Sequence, residues 1–301
     1  MRKFDVAAYR SLLATRTVGQ RIDCHDSVPS TMTLSDERIK AEGAAAVHGS
    51  VILAETQTGG IGRRGRSWLS PPRGNLYFSL LWAPAVHLGM ATAPTPPTPA
   101  LLIPQLAQLN LAASVAVVRA ADAVGVGATA RIKWPNDVWA GAPTPSKMSG
   151  TILNFDGSSA AVLGVGINVA EDLASNATAT SLAMLREQIE PPEARPPPVS
   201  REAVLAAFCN QLERLMALST EAVLDEYRAV DLLRGRTIRV HHRTREETDP
   251  KDFDAEALGV SASGMLRVRP IDAAAHGGAV RELSGEEVSI SPLQLLSLIH
   301  I

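Results

Sequence analysis

Cysteine is nearly absent: Cys24 and Cys209 are the only two among 301 residues, and they lie far apart. That excludes a disulfide framework and a cysteine metal pattern, and a reducing, intracellular compartment fits best. Aromatic residues are also scarce, at 4%, although apolar residues of all kinds reach 46% and suffice for a sizeable core. An excess of either charge is missing. The 29 basic and 31 acidic side chains leave a net charge of −2, which argues against a nucleic-acid surface. Neither HExxH nor GxSxG occurs, and the seven histidines are scattered. The adjacent pair His241–His242 falls in a predicted strand, where a structural role outweighs metal ligation. One window is uncharged, ALLIPQLAQLNLAASVAVV at 100–118. Pro104, Gln105, Gln108, Asn110 and Ser114 interrupt it, so a buried helix is expected there and no membrane span.

The pattern along the chain alternates strands with helices. A lead-in helix is followed by a short strand, a turn at 27–30 and a second helix. SVILAE and GNLYFSLLWAP (74–84) read as strands, 101–124 as a helix, and RIKWPNDVWAG (131–141) as a strand broken at Pro135. KMSGTILNF (147–155) and AAVLGVGINV (160–169) are β-type runs joined by DGSS, a hairpin signal. TAPTPPTP (92–99) reads as an exposed proline-rich loop and EPPEARPPPVS (190–200) as a spacer. REAVLAAFCNQLERLMAL then places Val204, Phe208, Leu212, Leu215 and Met216 on one helical face. Short strands with glycine-bearing turns follow, which predicts a small all-β unit over 233–291 behind a first domain of 1–232. The role of the tail, 292–301, stays open. The N-terminus is arginine-bearing and acid-poor, yet it contains Asp5 and shows no cleavage pattern. Cytoplasmic residence is therefore expected, with mitochondrial targeting the lesser alternative.

The segment ETQTGGIGRRGRSW (55–68) satisfies G-x-G-x-x-G through Gly60, Gly62 and Gly65. A dinucleotide-binding turn needs a helix straight afterwards and an acidic residue some way on. Pro71 and Pro72 forbid that helix, LLWAPA offers no carboxylate, and no G-K-[ST] follows. The match is therefore a decoy, but its chemistry still speaks. Glycines let backbone N–H groups form an anion nest, and Arg63, Arg64 and Arg66 add forks suited to phosphate. Such a loop should be mobile when empty and close over a phosphorylated ligand.

Other segments converge on it. Lys133-Trp134-Pro135-Asn136-Asp137 gathers a cation, an aromatic plate, a rigid turn, an amide and a carboxylate. Turn geometry sets Lys147 opposite Gly166 for a two-residue Asp156-Gly157 turn, or opposite Asn168 for a four-residue loop. Taken singly, Trp134 and Trp139 read as core residues, Lys147 as a strand-edge lysine, and the two cysteines as small buried hydrophobes. Together, ETQTGGIGRRGRSW, KWPND, KMSGTIL and GVGINV resemble the biotin protein ligases, over about Ser30 to Ile290.

The resemblance implies an α+β fold: a mixed β-sheet catalytic domain with flanking helices, like class II synthetases, plus a small C-terminal SH3-like β-barrel. It implies biotin and ATP as substrates with Mg²⁺, a biotinyl-5′-AMP intermediate, and transfer to a lysine of a biotin carboxyl carrier domain. By motif, Lys147, Arg63 and Arg66 would be catalytic. Ser30, Thr31, Met32, Gln57, Gly60, Ile61, Gly62, Arg63, Lys147, Gly150, Gly164 and Gly166 would bind biotin. Arg63, Arg66, Trp68, Lys133, Asn136, Asp137, Lys147 and Asn168 would line the adenylate side, with Asp137 the candidate metal contact. Two departures stand out. Ile61 occupies a position where the family usually has arginine, so one contact falls to Arg64 or Arg66 or affinity is lower. Met32 replaces the asparagine of the bacterial Ser-Thr-Asn motif. A lipoate or octanoate ligase, a biotin-sensing DNA-binding regulator and an inactive biotin-binding relative are the rival readings. The short stretch before Ser30 and the negative net charge speak against DNA as a partner, and homodimerisation stays open.

Overall fold

Asp5 caps the first helix, α1 (Val6–Leu12), by accepting from the N–H groups of Ala7 and Ala8. The computed structural model describes residues 2–72, 74–92, 98–155, 160–170, 178–242, 252–272, 278–285 and 288–292. Most of the proline-rich loop, the DGSS turn and the tail from 293 onward lie outside the described residues. The first sheet contains β1 (Ile22–His25), β2 (Val51–Ala54), β3 (Leu76–Trp82), β4 (Arg131–Lys133), β5 (Asp137–Ala140), β6 (Ser146–Asn154) and β7 (Ala161–Ile167). Their spatial order is β1-β2-β3-β7-β6-β5-β4, with β1 and β2 parallel and the other pairs antiparallel. The expected broken strand at Pro135 is a tight hairpin, β4 and β5, turned through Trp134–Asn136.

Helices cover both faces of this sheet. On one lie α2 (Thr31–Glu42) and the short α3 (Ala44–Val47), where Leu34 and Ile39 pack against buried Val47, Ile52 and Leu81. A short α4 (Pro84–His87) precedes α5 (Pro99–Ala123), and after α6 (Leu182–Glu187) come α7 (Arg201–Met216) and α8 (Thr220–Ala229). The uncharged stretch of α5 is thus the central core helix, packed on β6 and on α7 and α8. Its Leu109, Ala112, Ala113, Val115 and Ala116 are fully buried. Gln108, an interruption in the apolar run, is satisfied by donating to Leu218 O at 2.9 Å and accepting from Thr220 Oγ1 at 2.9 Å. The predicted face of α7 is buried as read, Val204, Phe208, Leu212, Leu215 and Met216 together.

The chain then enters a second, five-stranded antiparallel sheet: β8 (Thr237–His242), β9 (Phe253–Val260), β10 (Leu266–Pro270), β11 (Arg281–Leu283) and β12 (Val288–Pro292), ordered β11-β10-β9-β8-β12. Strict alternation in β9 and β10 sends Phe253, Ala255, Ala257, Leu266 and Val268 inward. The fold is therefore α+β, a seven-stranded sheet with flanking helices and a small β unit compatible with the expected SH3-like barrel.

Side-chain carboxylates and one amide pin the N-terminal segment across α7. Glu55 accepts the Phe4 N–H at 2.6 Å, Glu202 that of Asp5 at 2.8 Å, and Asn210 that of Ala14 at 2.8 Å. Glu213 takes the N–H groups of Arg16, Thr17 and Val18. Glu55 is itself held by Arg201 at 2.7 Å in a buried ion pair. Removing one partner strands the other charge, so Glu55→Ala should destabilise the fold by about 3–5 kcal/mol. Urea unfolding is the check, and a loss below about 1 kcal/mol would show that the pair is not sealed from water.

Candidate active site

The site is built on the sheet face that carries α2. Ser30 ends an extended segment and caps α2, its Oγ accepting the Met32 N–H at 3.3 Å. Beside the cap runs a directional set of hydrogen bonds. Ser79 Oγ donates to Thr31 Oγ1 at 2.8 Å, and the Thr31 N–H donates to Gln57 Oε1 at 2.9 Å. Gln57 Nε2 donates to Ser70 Oγ at 3.0 Å, and Ser70 Oγ donates to Trp68 O at 3.1 Å. The helix start, β3 and the glycine-arginine loop thus share one polar network, in which each link polarises the next.

Lys147 reaches this face through a β-bulge. In the β5–β6 pair Asp137 lies opposite Gly150 and Val138 opposite Ser149, but Trp139 lies opposite Lys147. Met148 is the extra residue; it is fully buried in the core. The bulge turns Lys147 to the same face as Asp137 and Gly150. There Lys147 Nζ pairs with Asp137 Oδ1 at 2.7 Å and sits 5.2 Å from the centre of the Trp68 ring. The expected cross-strand neighbours of Lys147 are corrected: Gly150 faces Gly166 and Ser149 faces Ile167, so Lys147 opposes neither Gly166 nor Asn168. It bridges instead to Ala179. The register differs because the connection from Asn154, the end of β6, to Ala161, the start of β7, is longer than a two- or four-residue loop.

The glycines on this face make room for specific side chains. A Cβ on Gly166 would lie 2.4 Å from Trp68 Cε2, and one on Gly164 would lie 2.7 Å from Met32 Sδ. On Gly150 it would meet Trp68 Cζ3 at 3.1 Å and Lys147 Cε at 3.3 Å. The indole of Trp68 therefore lies on a floor of bare backbone, and its buried Nε1–H has no partner. The loop before it crosses itself: Gly62 N donates to Arg66 O at 2.7 Å and Trp68 N to Gly60 O at 2.9 Å. A single 3₁₀ turn, Arg63–Gly65, stands where a dinucleotide-binding turn would open a long helix.

These parts line a cleft of about 720 Å³ that is open to solvent, of which about 140 Å³ can be occupied by the centre of a water-sized group. Ser30, Thr31, Met32 and Gln57 line one end, with Gly150, Gly164 and Gly166 as floor. Ile61, Gly62, Arg63, Arg66 and Trp68 line the loop side, and Asn136, Asp137 and Lys147 the side of the β4–β5 turn. Three predicted residues are placed elsewhere. Gly60 is a crossing point, where a Cβ would sit 2.3 Å from Trp68 O. Asn168 Nδ2 donates to Thr180 O at 3.1 Å and anchors the segment before α6. Lys133 Nζ lies over Trp139, 4.4 Å from the ring centre. Burial holds the Lys133 ammonium below its usual range; Lys147 and Arg66 add to this and Asp137 opposes it. Of the two tryptophans weighed as core residues, Trp134 is buried and Trp139 only partly so. Ser67, Phe78, Thr151, Ile152 and Val165 also line the cleft. Ile152 was legible as the second residue beyond Gly150 on one strand face; the others line through loop or core-face positions that carry no chemical signature.

Chemically, the cleft joins an apolar patch (Met32, Ile61, Ile152, Phe78, Trp68) to a cationic end (Arg63, Arg66, Lys147). That suits a ligand with an apolar body and an anionic group. Asp137 is its single lining carboxylate, and among the described residues no group of three or more His, Cys, Asp or Glu is placed to hold a metal. This fits a magnesium ion that arrives on phosphates and keeps most of its waters better than a preformed protein cage.

Residues 24–169 match the family model described as Biotin/lipoate A/B protein ligase family. The chain is 30% identical over 168 residues to a Bacillus subtilis protein named bifunctional ligase/repressor BirA, covering 56% of this chain and 46% of that protein. It is 33% identical over 141 residues to a Mycobacterium tuberculosis biotin–[acetyl-CoA-carboxylase] ligase, covering 46% of each. The matched stretches thus span about half the length of these curated relatives. The fold is that of the Aquifex aeolicus biotin protein ligase solved with biotin and ATP, at a TM-score of 0.62 and 22% identity over 91% of this chain and 99% of that one.

Because the indole rests on bare backbone, Gly166→Ala should expel Trp68 from the floor without unfolding the sheet. A red-shifted, more quenchable tryptophan emission in the ligand-free protein is expected, and an unaltered spectrum would remove Trp68 from that position.

Proposed function

We infer from the ligase-family domain at residues 24–169 that the protein is an ATP-dependent biotin protein ligase. The observation that carries this reading is the convergence of Lys147, Arg63 and Arg66 on a glycine-floored cleft whose opposite end is the polar Ser30–Thr31–Gln57 network. A ureido ring offers both donors and acceptors, which that network can match. An aliphatic chain suits the patch of Met32, Ile61 and Ile152, and a carboxylate then arrives among the cations.

In the first step a carboxylate oxygen of biotin attacks the α-phosphorus of ATP. A C–O–P bond forms, the bond to the β,γ-diphosphate breaks, and pyrophosphate leaves. Negative groups crowd together in this step, so fixed cations lower the barrier most where charge develops. Arg63 and Arg66 present forks to phosphate oxygens, and Lys147 a point charge between carboxylate and phosphate. Asp137 holds Lys147 at 2.7 Å until the ligand's own anion takes over that contact. Magnesium bound with the nucleotide would supply further neutralisation of phosphate charge, and Asp137 and Asn136 would be the residues to hold it. In the second step a deprotonated lysine amine of a carrier domain attacks the acyl carbon of the mixed anhydride. The C–N bond forms, the acyl C–O bond breaks, AMP leaves, and the surplus amide proton passes to solvent. No covalent enzyme intermediate is required.

The test is mass spectrometry of a biotin carboxyl carrier domain incubated with the protein, biotin and Mg-ATP, beside a parallel lipoate reaction. A biotin-sized gain that vanishes without ATP or with excess EDTA is expected. A gain with lipoate alone would transfer the protein to the lipoate branch, and no gain despite biotin binding would make it a sensor. Lys147→Ala should slow adenylate formation by about two to three orders of magnitude with an unchanged circular dichroism spectrum. Near-normal turnover would take Lys147 out of the chemistry.

A further inference from the structure

The three arginines of the loop do not share one task. Arg66 lines the cleft, and Arg63 lines it while bridging outward. Arg63 Nη1 donates to Asn136 Oδ1 at 3.1 Å and Nη2 to Gly285 O at 3.1 Å. Arg64 turns away altogether: its Nη2 donates to Gly285 O in a very short contact and to Val288 O at 2.6 Å. Both acceptors belong to the small β unit, where Gly285 follows β11 and Val288 opens β12. One carbonyl thus receives two guanidinium groups, which its two lone pairs allow.

Two further observations show that this contact is built in. Arg64 has φ 65° and ψ 38°, the sole positive φ outside glycine among the described residues. An arginine stays in that left-handed region when surrounding contacts over-determine it. On the opposite side, a Cβ on Gly285 would lie 3.0 Å from Arg63 Nη2 and 3.1 Å from Pro135 Cγ, so this position is shaped for close approach. Neighbouring contacts run the same way: Trp134 Nε1 donates to Gly264 O at 2.9 Å. Asn136 Nδ2 donates to Thr151 O, which carries the link into β6.

We propose that Arg64 is a positioning residue, a latch that ties the glycine-arginine loop to the carbonyls of Gly285 and Val288 in the small β unit and so orients Arg63 and Arg66 toward the anionic part of the ligand. The proposal rests on the functional reading above only for the identity of that ligand. It also settles which side chain can stand in for the cation missing at Ile61: Arg64 is committed elsewhere, and Arg66 is the candidate left.

Hydrogen–deuterium exchange of the ligand-free, full-length protein tests the latch without any activity. Arg64→Ala should raise exchange in residues 60–68 by about tenfold or more, since two charge-assisted hydrogen bonds are lost. Gly285→Ala should do the same from the other partner, while exchange in β3 and β7 stays unchanged. Arg64→Lys should restore only part of the protection, because a strongly hydrated ammonium on a flexible stem is not held toward both carbonyls as the planar guanidinium is. In biotin-transfer assays Arg64→Ala should raise the KM for ATP by about tenfold while changing the KM for biotin little. Unchanged loop exchange in both Arg64→Ala and Gly285→Ala would overturn the latch, and equal changes in both KM values would overturn its orienting role. Loosening of the loop in a protein whose wild type transfers no biotin would leave the latch standing and sink the functional reading instead.

Discussion

The bulge at Met148 decides on which side of the sheet Lys147 stands, and most of the cleft's chemistry follows from that one inserted residue. In an unbroken β5–β6 ladder with Asp137 opposite Gly150, strand alternation would put Met148 on the cleft face and Lys147 in the core beneath α5. An ammonium there would have no water, and the core would lose a fully buried thioether. The sequence K-M-S-G therefore favours the bulged register energetically. Once it is adopted, Lys147, Asp137 and Gly150 share a face with Gly166 across the next strand.

Glycine then acts by subtraction. Gly150, Gly164 and Gly166 lie in regular strands, and none of them has a positive φ. What they supply is the absence of a Cβ, so that Met32 and Trp68 can rest on backbone. A buried indole N–H without a partner is an unfavourable arrangement in the ligand-free cleft. A ligand that offers an acceptor, or moves the ring to a place that does, recovers that cost on binding. The floor is thus rigid where the ligand lies, while the loop above it carries the strained residue, Arg64.

Much of this was legible in the sequence because it rests on local rules. The turn at 27–30 with a helix after it, β2 as a strand, α5 as a core helix and the amphipathic face of α7 follow from turn residues and periodicity. The gathering of the loop, the KWPND turn and the two glycine-bearing strands was legible as a motif set, since each contains residues poorly suited to a purely structural task. The register of β6 on β7 was not, because a loop of unfixed length shifts it by whole residues, and neither was the bulge between β5 and β6. The division among Arg63, Arg64 and Arg66 was hidden for another reason. Three cations in four residues look alike until the partner surface is placed, and Gly285 lies more than two hundred positions away. Lys133 and Asn168 were placed on the adenylate side by motif, and in the structure their side chains lie over Trp139 and on Thr180 O.

The distribution of charge ties these features together. With a net charge of −2, the chain has no surplus of cations to draw ligands by its overall field. Arginine instead does two kinds of work in different dielectric surroundings. Arg201 is buried with Glu55 behind the sheet, where its charge is cancelled and its fork holds Glu55 and the Arg2 carbonyl. At the cleft, Arg64 Nη2 donates to two backbone carbonyls of the small β unit. Lys147 there is paired with Asp137. On the proposed latch, Arg64 sets where the loop lies, and the attraction of an anion falls to the cations that line the cleft, Arg63, Arg66 and Lys147.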